Sequence, residues 1–246
     1  NRWAICSGAV NEVPGTQAEL DRLAQIARDV YGYEPGRTVS EAFDFDDEKY
    51  LIKLDWYASE TQRLSMTYMY NDSFNFTASD GDLDEFEFDK HFYKRGAELT
   101  TYNINRYADW SENFSTEVRY SYNEVDFLQA SVSGGDFAEF RIELDEVDVY
   151  LGQDDSRQAN DLDWEVEQLV ARGTYIMDDH TITFGYERDS SDIYNLFYQH
   201  VDTEIRFDGI DNFEQGIAAR VYYGNAITNN ELDAAVSWGY TIHTAY

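Results

Sequence analysis

Proline is almost missing from this chain. Pro14 and Pro35 are the only two in 246 residues, where average usage of about 5% would give roughly a dozen. Proline removes a ladder donor and is confined to sheet edges and bulges. Its absence after Pro35 therefore leaves room for many long strands paired on both sides. Cysteine is also scarce. Cys6 stands alone, so no disulfide forms within the chain, and a single thiol says little about redox compartment. No apolar run approaches the roughly 18 residues that a spanning helix needs. That excludes a helical membrane protein but not a barrel, whose period-two signal is weak per segment. Basic residues are few, 18 against 49 acidic ones, for a net charge of −31. Phosphates would repel such a chain, which excludes a nucleic-acid partner. Enzyme signatures are lacking too: there is no GxSxG, HExxH, P-loop or GxGxxG. His91, His180, His200 and His243 are scattered without ligand spacing, and carboxylates are too numerous for a glycosidase dyad to stand out. The chain reads as a non-enzyme. With Asn1 first, no signal peptide, and Tyr246 last in what reads as a strand, it also reads as a fragment of a longer protein.

Aromatic residues, in contrast, make up 16% of the chain, with 20 tyrosines. Disordered acidic chains are poor in aromatics, so a core or a membrane interface must use these rings. The chain divides at about residue 48. In 1–48, Thr16 and Glu19 form a possible capping box. Leu20, Leu23, Ala24, Ala27, Val30 and Tyr31 then follow at helical spacing. This predicts a short amphipathic helix over about 17–31, ended by Gly32. From Lys49 the pattern becomes alternation, which places successive side chains on opposite faces of a strand. Tyr50, Ile52, Leu54 and Trp56 oppose Lys53 and Asp55, and Leu64, Met66, Tyr68 and Tyr70 oppose Ser65 and Thr67. Val118, Tyr120 and Tyr122 oppose Glu117 and Arg119, and Ile182, Phe184 and Tyr186 oppose Thr183 and Glu187. Val236, Trp238, Tyr240 and Ile242 oppose Ser237 and Thr241. The runs 95–108 and 163–177 are extended with weaker alternation.

The connections alternate in length. Short turns at 59–62, 111–113 and 178–179 are separated by long links at about 72–94, 124–162 and 189–234. Tight turns on one rim and long loops on the other are the layout of an outer-membrane barrel, whereas soluble sandwiches turn every 8–12 residues. The expectation is an all-β fold: an antiparallel transmembrane β-barrel segment of about seven long strands, with long extracellular loops and one short N-terminal helix. Residues 1–48 would form an extracellular loop segment and 49–246 a partial barrel. Ile52, Leu54, Val118, Phe184 and Trp238 would face lipid. Lys53, Asp55, Glu117, Arg119 and Glu187 would face the lumen, where they cross-link the wall or contact substrate.

Acidic clusters are the strongest chemical feature. Asp44, Asp46, Asp47 and Glu48 precede the first strand, Asp154 and Asp155 lie in a link, and Asp80, Asp82, Asp84, Glu85, Glu87 and Asp89 crowd another. Oxygen-rich loops suit Ca²⁺, and Asp80, Asp82 and Asp84 have the DxDxD spacing of a calcium loop. Against this, Gly81 is not at that loop's glycine position and His91 stands where its final Glu belongs. A solvated acidic loop is the simpler reading, and no other cofactor is indicated.

Several stretches resemble strand starts of TonB-dependent outer-membrane receptors, particularly the Oar-like group. These are FDFDDEKYLIKLDW (43–56), RLSMTYMYNDSFN (63–75), DEFEFDKHFYKRGAEL (84–99) and NFSTEVRYSY (113–122). YLGQDDSRQANDL (150–162), DDHTITFGYERDSSDIYNLF (178–197) and FEQGIAARVYYGNA (213–226) follow the same pattern. The resemblance spans nearly the whole chain, and its specificity lies in the order of the stretches. It implies a 22-stranded barrel closed by an N-terminal plug, in the outer membrane of a Gram-negative bacterium, importing a scarce nutrient or large ligand with energy passed from TonB. Its partners would be outer-membrane lipid, the TonB complex through the plug, and a transported ligand that the sequence does not identify. The chain shows no TonB box, plug or carboxypeptidase-like regulatory domain, so it corresponds to about a third of the barrel wall. Two other readings stand beside this one: a soluble acidic β-rich binding module with calcium in its loops and aromatics in its core, and a secreted β-fold enzyme.

Overall fold

The computed structural model describes residues 17–38, 45–79, 84–135 and 137–246. In chain order, α1 (Gln17–Tyr31) precedes β1 (Asp46–Ser59), β2 (Gln62–Thr77), β3 (Glu85–Glu87), β4 (Tyr93–Ser111) and β5 (Phe114–Ser131). Then come β6 (Glu139–Glu143), β7 (Asp148–Leu151), β8 (Ala159–Met177) and β9 (His180–Tyr198). The chain continues with β10 (Glu204–Asp208), α2 (Ile210–Gln215), β11 (Arg220–Tyr222) and β12 (Val236–Ala245).

Seven strands form one antiparallel sheet in the order β1-β2-β4-β5-β8-β9-β12. Long alternating sequences without proline allow each inner strand to pair on both sides along most of its length. The turns after β1, β4 and β8 lie on one rim and the long links on the other. The Asp178-Asp179 turn places Asp178 at φ 51°, a conformation that two-residue hairpins require and Asp tolerates. The sheet is open, with β1 and β12 as its two edges. No helix among the described residues is long and apolar enough to cross a membrane, which says nothing of strands.

The long links are not the open loops that the alternation suggests. β2, β5 and β9 run on to Thr77, Ser131 and Tyr198. What remains of the links folds into a second, mixed sheet of order β11-β10-β6-β7-β3. Three different links supply it. β3 pairs parallel with β7, and β6 parallel with β10, while β6–β7 and β10–β11 are antiparallel. A second helix, α2, follows β10, so the single expected helix becomes two.

This small sheet has the principal hydrophobic core of the described residues. Leu20, Leu23, Ala24 and Ala27 recur at helical spacing and bury one face of α1 against Phe86, Phe88, Phe140, Ile142, Phe207 and Phe213. Gly32, at φ 66°, ends the helix, and the Tyr33 N–H turns back to the Ala27 carbonyl at 2.9 Å. Arg22 on the outer side pairs with Asp211 (2.7 Å) and Glu214 (2.6 Å) of α2. The largest rings of the two sheets differ in burial. The Phe rings named above fill the small core, while Tyr50, Trp56, Tyr102, Trp110 and Trp238 stay exposed on the long sheet. The exposed Tyr and Trp carry a polar handle that suits them to a wet interface.

Candidate functional site

Directly paired residues share a face of the sheet, so the ladder registers assign every side chain of the long sheet to one of two faces. One face, near the short turns, carries Ile52, Leu54, Met66, Ile104, Val118 and Phe184, all well exposed. Leu54 is 62% and Trp56 63% exposed, so no part of the described chain covers this apolar surface.

The upper limit of this surface runs as a diagonal. On β1 and β2 it falls at the facing pair Tyr50 and Tyr70, whose rings stack at 6.0 Å. Tyr70 faces Thr100, so Tyr102 lies one row nearer the turns, opposite Tyr122. Tyr122 faces Glu167, so Leu169 is nearer again, and Leu169 faces Arg188, so Tyr186 is nearer still. Two residues beyond each limit the side chain is polar or charged: Glu48, Asp72, Thr100, Glu124, Glu167 and Arg188. The limit thus descends three times by two residues over five strand crossings. At about 3.3 Å per residue and about 4.8 Å per strand, that is ~20 Å over ~24 Å, an inclination of about 40°. A second aromatic group, Trp56, Trp110, Phe114 and Tyr175, lies nearer the turns on the same face, with the Trp110 indole donating to Thr116 Oγ1 at 2.9 Å. From Phe114 to Tyr122 the apolar face of β5 extends ~26 Å along the strand.

The opposite face is ionic over the same height. Lys53, Asp55, Glu117, Arg119 and Glu187 all lie on it, as their alternation suggests, and the register adds Arg63 and Arg172. They form two groups, Lys53–Asp55 (3.4 Å) with Arg63–Asp55 (3.0 Å), and Arg119–Glu117 (3.2 Å) with Arg172–Glu117 (3.9 Å) and Arg172–Glu187 (3.8 Å). Tyr246 Oη joins by donating to Glu187 at 3.0 Å and accepting from Arg172 Nε at 3.2 Å.

Above the diagonal the polarity reverses. The face that carries Ile52 and Leu54 becomes acidic, with Glu48, Asp72, Glu98, Asp126 and Asp163 in one row across five strands. The other face becomes apolar, with Leu99, Val125, Trp164, Ile193 and Trp238 in one row. Trp238 therefore shares the face of Lys53 and Arg119, not that of Ile52, Leu54, Val118 and Phe184. The expectation that it accompanies those four is incorrect. Its own strand alternates cleanly, but alternation does not say which face is which, and one step of register decides it.

The acidic clusters are mostly part of the ordered fold. Asp46, Asp47 and Glu48 lie within β1 rather than ahead of it. Glu87 is buried and accepts the Ser79 N–H at 2.9 Å. Asp89 is buried and accepts from the Arg37 N–H (2.8 Å) and guanidinium (2.7 Å). Asp84 is exposed, and its carbonyl accepts the Asp148 N–H at 2.8 Å. Asp80 and Asp82 lie outside the described residues, as does Asp44. Asp84 belongs to none of the metal-capable groups among the described residues.

One such group was invisible in the sequence. Asp155, His200 and Glu204 bring three ligand atoms within 4.8 Å of one another, and Glu139, Asp154 and Asp155 do the same. The five side chains come from β6, the Asp155–Arg157 turn, the turn after β9, and β10. Glu139 and Glu204 are parallel partners in the small sheet. Burial, then the charges of Asp155, Asp154 and Glu204, push the Glu139 carboxyl well above the ordinary carboxylate range, against the bond it accepts from the Asp155 N–H at 2.7 Å. The spacing of His200 and Glu204, four residues apart, was the only local signal.

Comparison with known protein families, curated proteins and solved structures finds no match to this chain.

Proposed function

We propose that the long sheet is part of the wall of an outer-membrane β-barrel, with its apolar face toward lipid and its ionic face toward the lumen. The observation that carries this reading is the inclined tyrosine limit of the apolar face. Strands of outer-membrane barrels tilt by about 35–45°, and aromatic girdles mark both edges of an apolar band ~25 Å tall. A horizontal membrane edge drawn on tilted strands has to step through the register, as this one does. The ~26 Å of apolar face on β5, tilted by about 40°, spans ~20 Å of depth, close to that band. In this reading the acidic row, with Trp164 and Trp238 level with it on the other face, stands outside the hydrocarbon layer, and the small sheet forms the ordered external part.

On the sequence resemblance, the barrel is that of a TonB-dependent receptor of the Oar-like group, importing a scarce nutrient or large ligand in the outer membrane of a Gram-negative bacterium. The open edges at β1 and β12 are compatible with further wall strands on both sides. A soluble acidic module would leave Ile52, Leu54 and Trp56 in water, each more than half exposed, which is the kind of patch that marks an interaction surface.

Spin labels placed singly at Leu54, Lys53, Val118 and Arg119, in the receptor reconstituted in lipid, test this. The expected result is high accessibility to a lipid-soluble relaxant at Leu54 and Val118 and low accessibility at Lys53 and Arg119. Equal accessibility at all four sites overturns the reading.

A further inference from the structure

We infer that Asp155, His200 and Glu204, backed by Glu139, form a binding site for a divalent cation of zinc type that clamps the small sheet to the long one. His200 Nδ1 is the centre of the argument. It lies 3.1 Å from Asp155 Oδ2 and 3.6 Å from Glu204 Oε2. Yet the nitrogen is shut off from solvent and makes no hydrogen bond. A ring nitrogen closed to solvent and without a hydrogen bond is costly, and its contacts with Asp155 and Glu204 are ion pairs only when the ring is protonated. The distances are instead those of ligands around a common ion. Atoms bound tetrahedrally at about 2.0–2.1 Å lie ~3.3 Å from one another.

Charge points the same way. Glu204 and Glu139 are 2% and 5% exposed, and Asp154 and Asp155 stand beside them. Arg206 pairs with Glu204. Buried carboxylates persist when they are paired or hold a metal, and a divalent ion supplies the missing positive charge. The donor set selects the kind of ion. Imidazole with carboxylate suits zinc and its neighbours, whereas Ca²⁺ takes six to eight oxygens and seldom nitrogen. The site joins the 3-10 turn that leads into β8, the turn that leaves β9, and strand β10. Metal there ties the ends of two long strands to the small sheet.

The test uses the whole chain, stripped with a chelator and titrated with ZnCl₂ by calorimetry and thermal unfolding. The expected result is one Zn²⁺ per chain, a Tm that rises with free zinc, and at least tenfold weaker binding in His200→Ala and in Asp155→Asn. Asp126→Asn, in the separate group of Asp126, Asp161 and Asp163 on the long sheet, leaves binding unchanged. Co²⁺ loaded into the unmodified protein gives the intense visible bands of a four-coordinate site containing nitrogen, so the decision does not hang on a variant that fails to fold. Absence of uptake, uptake insensitive to both substitutions, or preference for Ca²⁺ over Zn²⁺ overturns the assignment. None of these readouts depends on which face of the long sheet meets lipid.

Discussion

Phe184 lies across Gly173. The two face each other in the β8–β9 ladder, and a Cβ built on Gly173 would stand 2.5 Å from the Phe184 ring. The missing side chain leaves the space in which the ring lies flat against the sheet and stacks near Phe114, with centroids 6.5 Å apart. Gly173→Val would expel the ring from that position. The expected cost is about 1–3 kcal/mol, the range for overpacking, read as a lower midpoint in denaturant. Gly173→Val together with Phe184→Ala should recover part of it. No recovery in the double variant would show that the glycine serves its backbone and not the ring.

Leu54 sits amid the apolar face, between Ile52 and Trp56 and opposite Met66. If this depth is near the bilayer midplane, Leu54→Arg costs about 2–4 kcal/mol. Lys53→Leu, on the other face, costs far less and perturbs only the Asp55 pair. Reversible unfolding of both variants in lipid vesicles measures the difference, and equal penalties would contradict the assignment of faces.

Trp238 offers a sharper check, because alternation leaves its face open and only the register assigns it. The register places it with Lys53. Brominated lipids should therefore quench Trp56 and Trp110 strongly and Trp238 weakly, in proteins that retain one tryptophan at a time. Strong quenching of Trp238 would contradict both the face that the register gives it and its place level with the acidic row.

Tyr33 follows α1, stacked on Phe137 at 4.1 Å, with its hydroxyl buried. Burial raises its pKa from 10.0 to about 12. A group whose folded pKa is raised contributes stability that is complete below the unfolded value and lost as pH climbs from 10 to 12. The folded protein binds the proton more tightly than the unfolded chain in that window. The expected loss between pH 8 and pH 11 is about 1.4 kcal/mol, and Tyr33→Phe should remove it. Identical alkaline melting of the two proteins would show that the hydroxyl ionises freely in the fold.

Much of the long sheet was legible because a half-apolar strand writes its own period. The turns at Ser59–Gln62, Ser111–Asn113 and Asp178-Asp179 could be read directly. The tyrosine diagonal could not, since it exists only once neighbouring strands are in register. Tyr102 alone says nothing of where Tyr70 or Tyr186 stands. The small sheet was illegible for another reason. Strands such as Glu85–Glu87 and Arg220–Tyr222 are three residues long, too short to show alternation, and they pair with segments of other links. His200 looked isolated because its partner Asp155 is distant in sequence and reaches it only through the turn before β8.

The parentage of the small sheet has a consequence for assembly. Its parallel pairs, β3 with β7 and β6 with β10, each join strands from different links. Three long hairpins can form one after another from local contacts, but the small sheet cannot close until all three have delivered their strands. Long-range pairings of this kind form late and slowly. Its closure then acts as a lock on the finished order of hairpins. A protease that spares the completed sheet but cuts within 139–151 in immature chains would report the moment at which that lock engages.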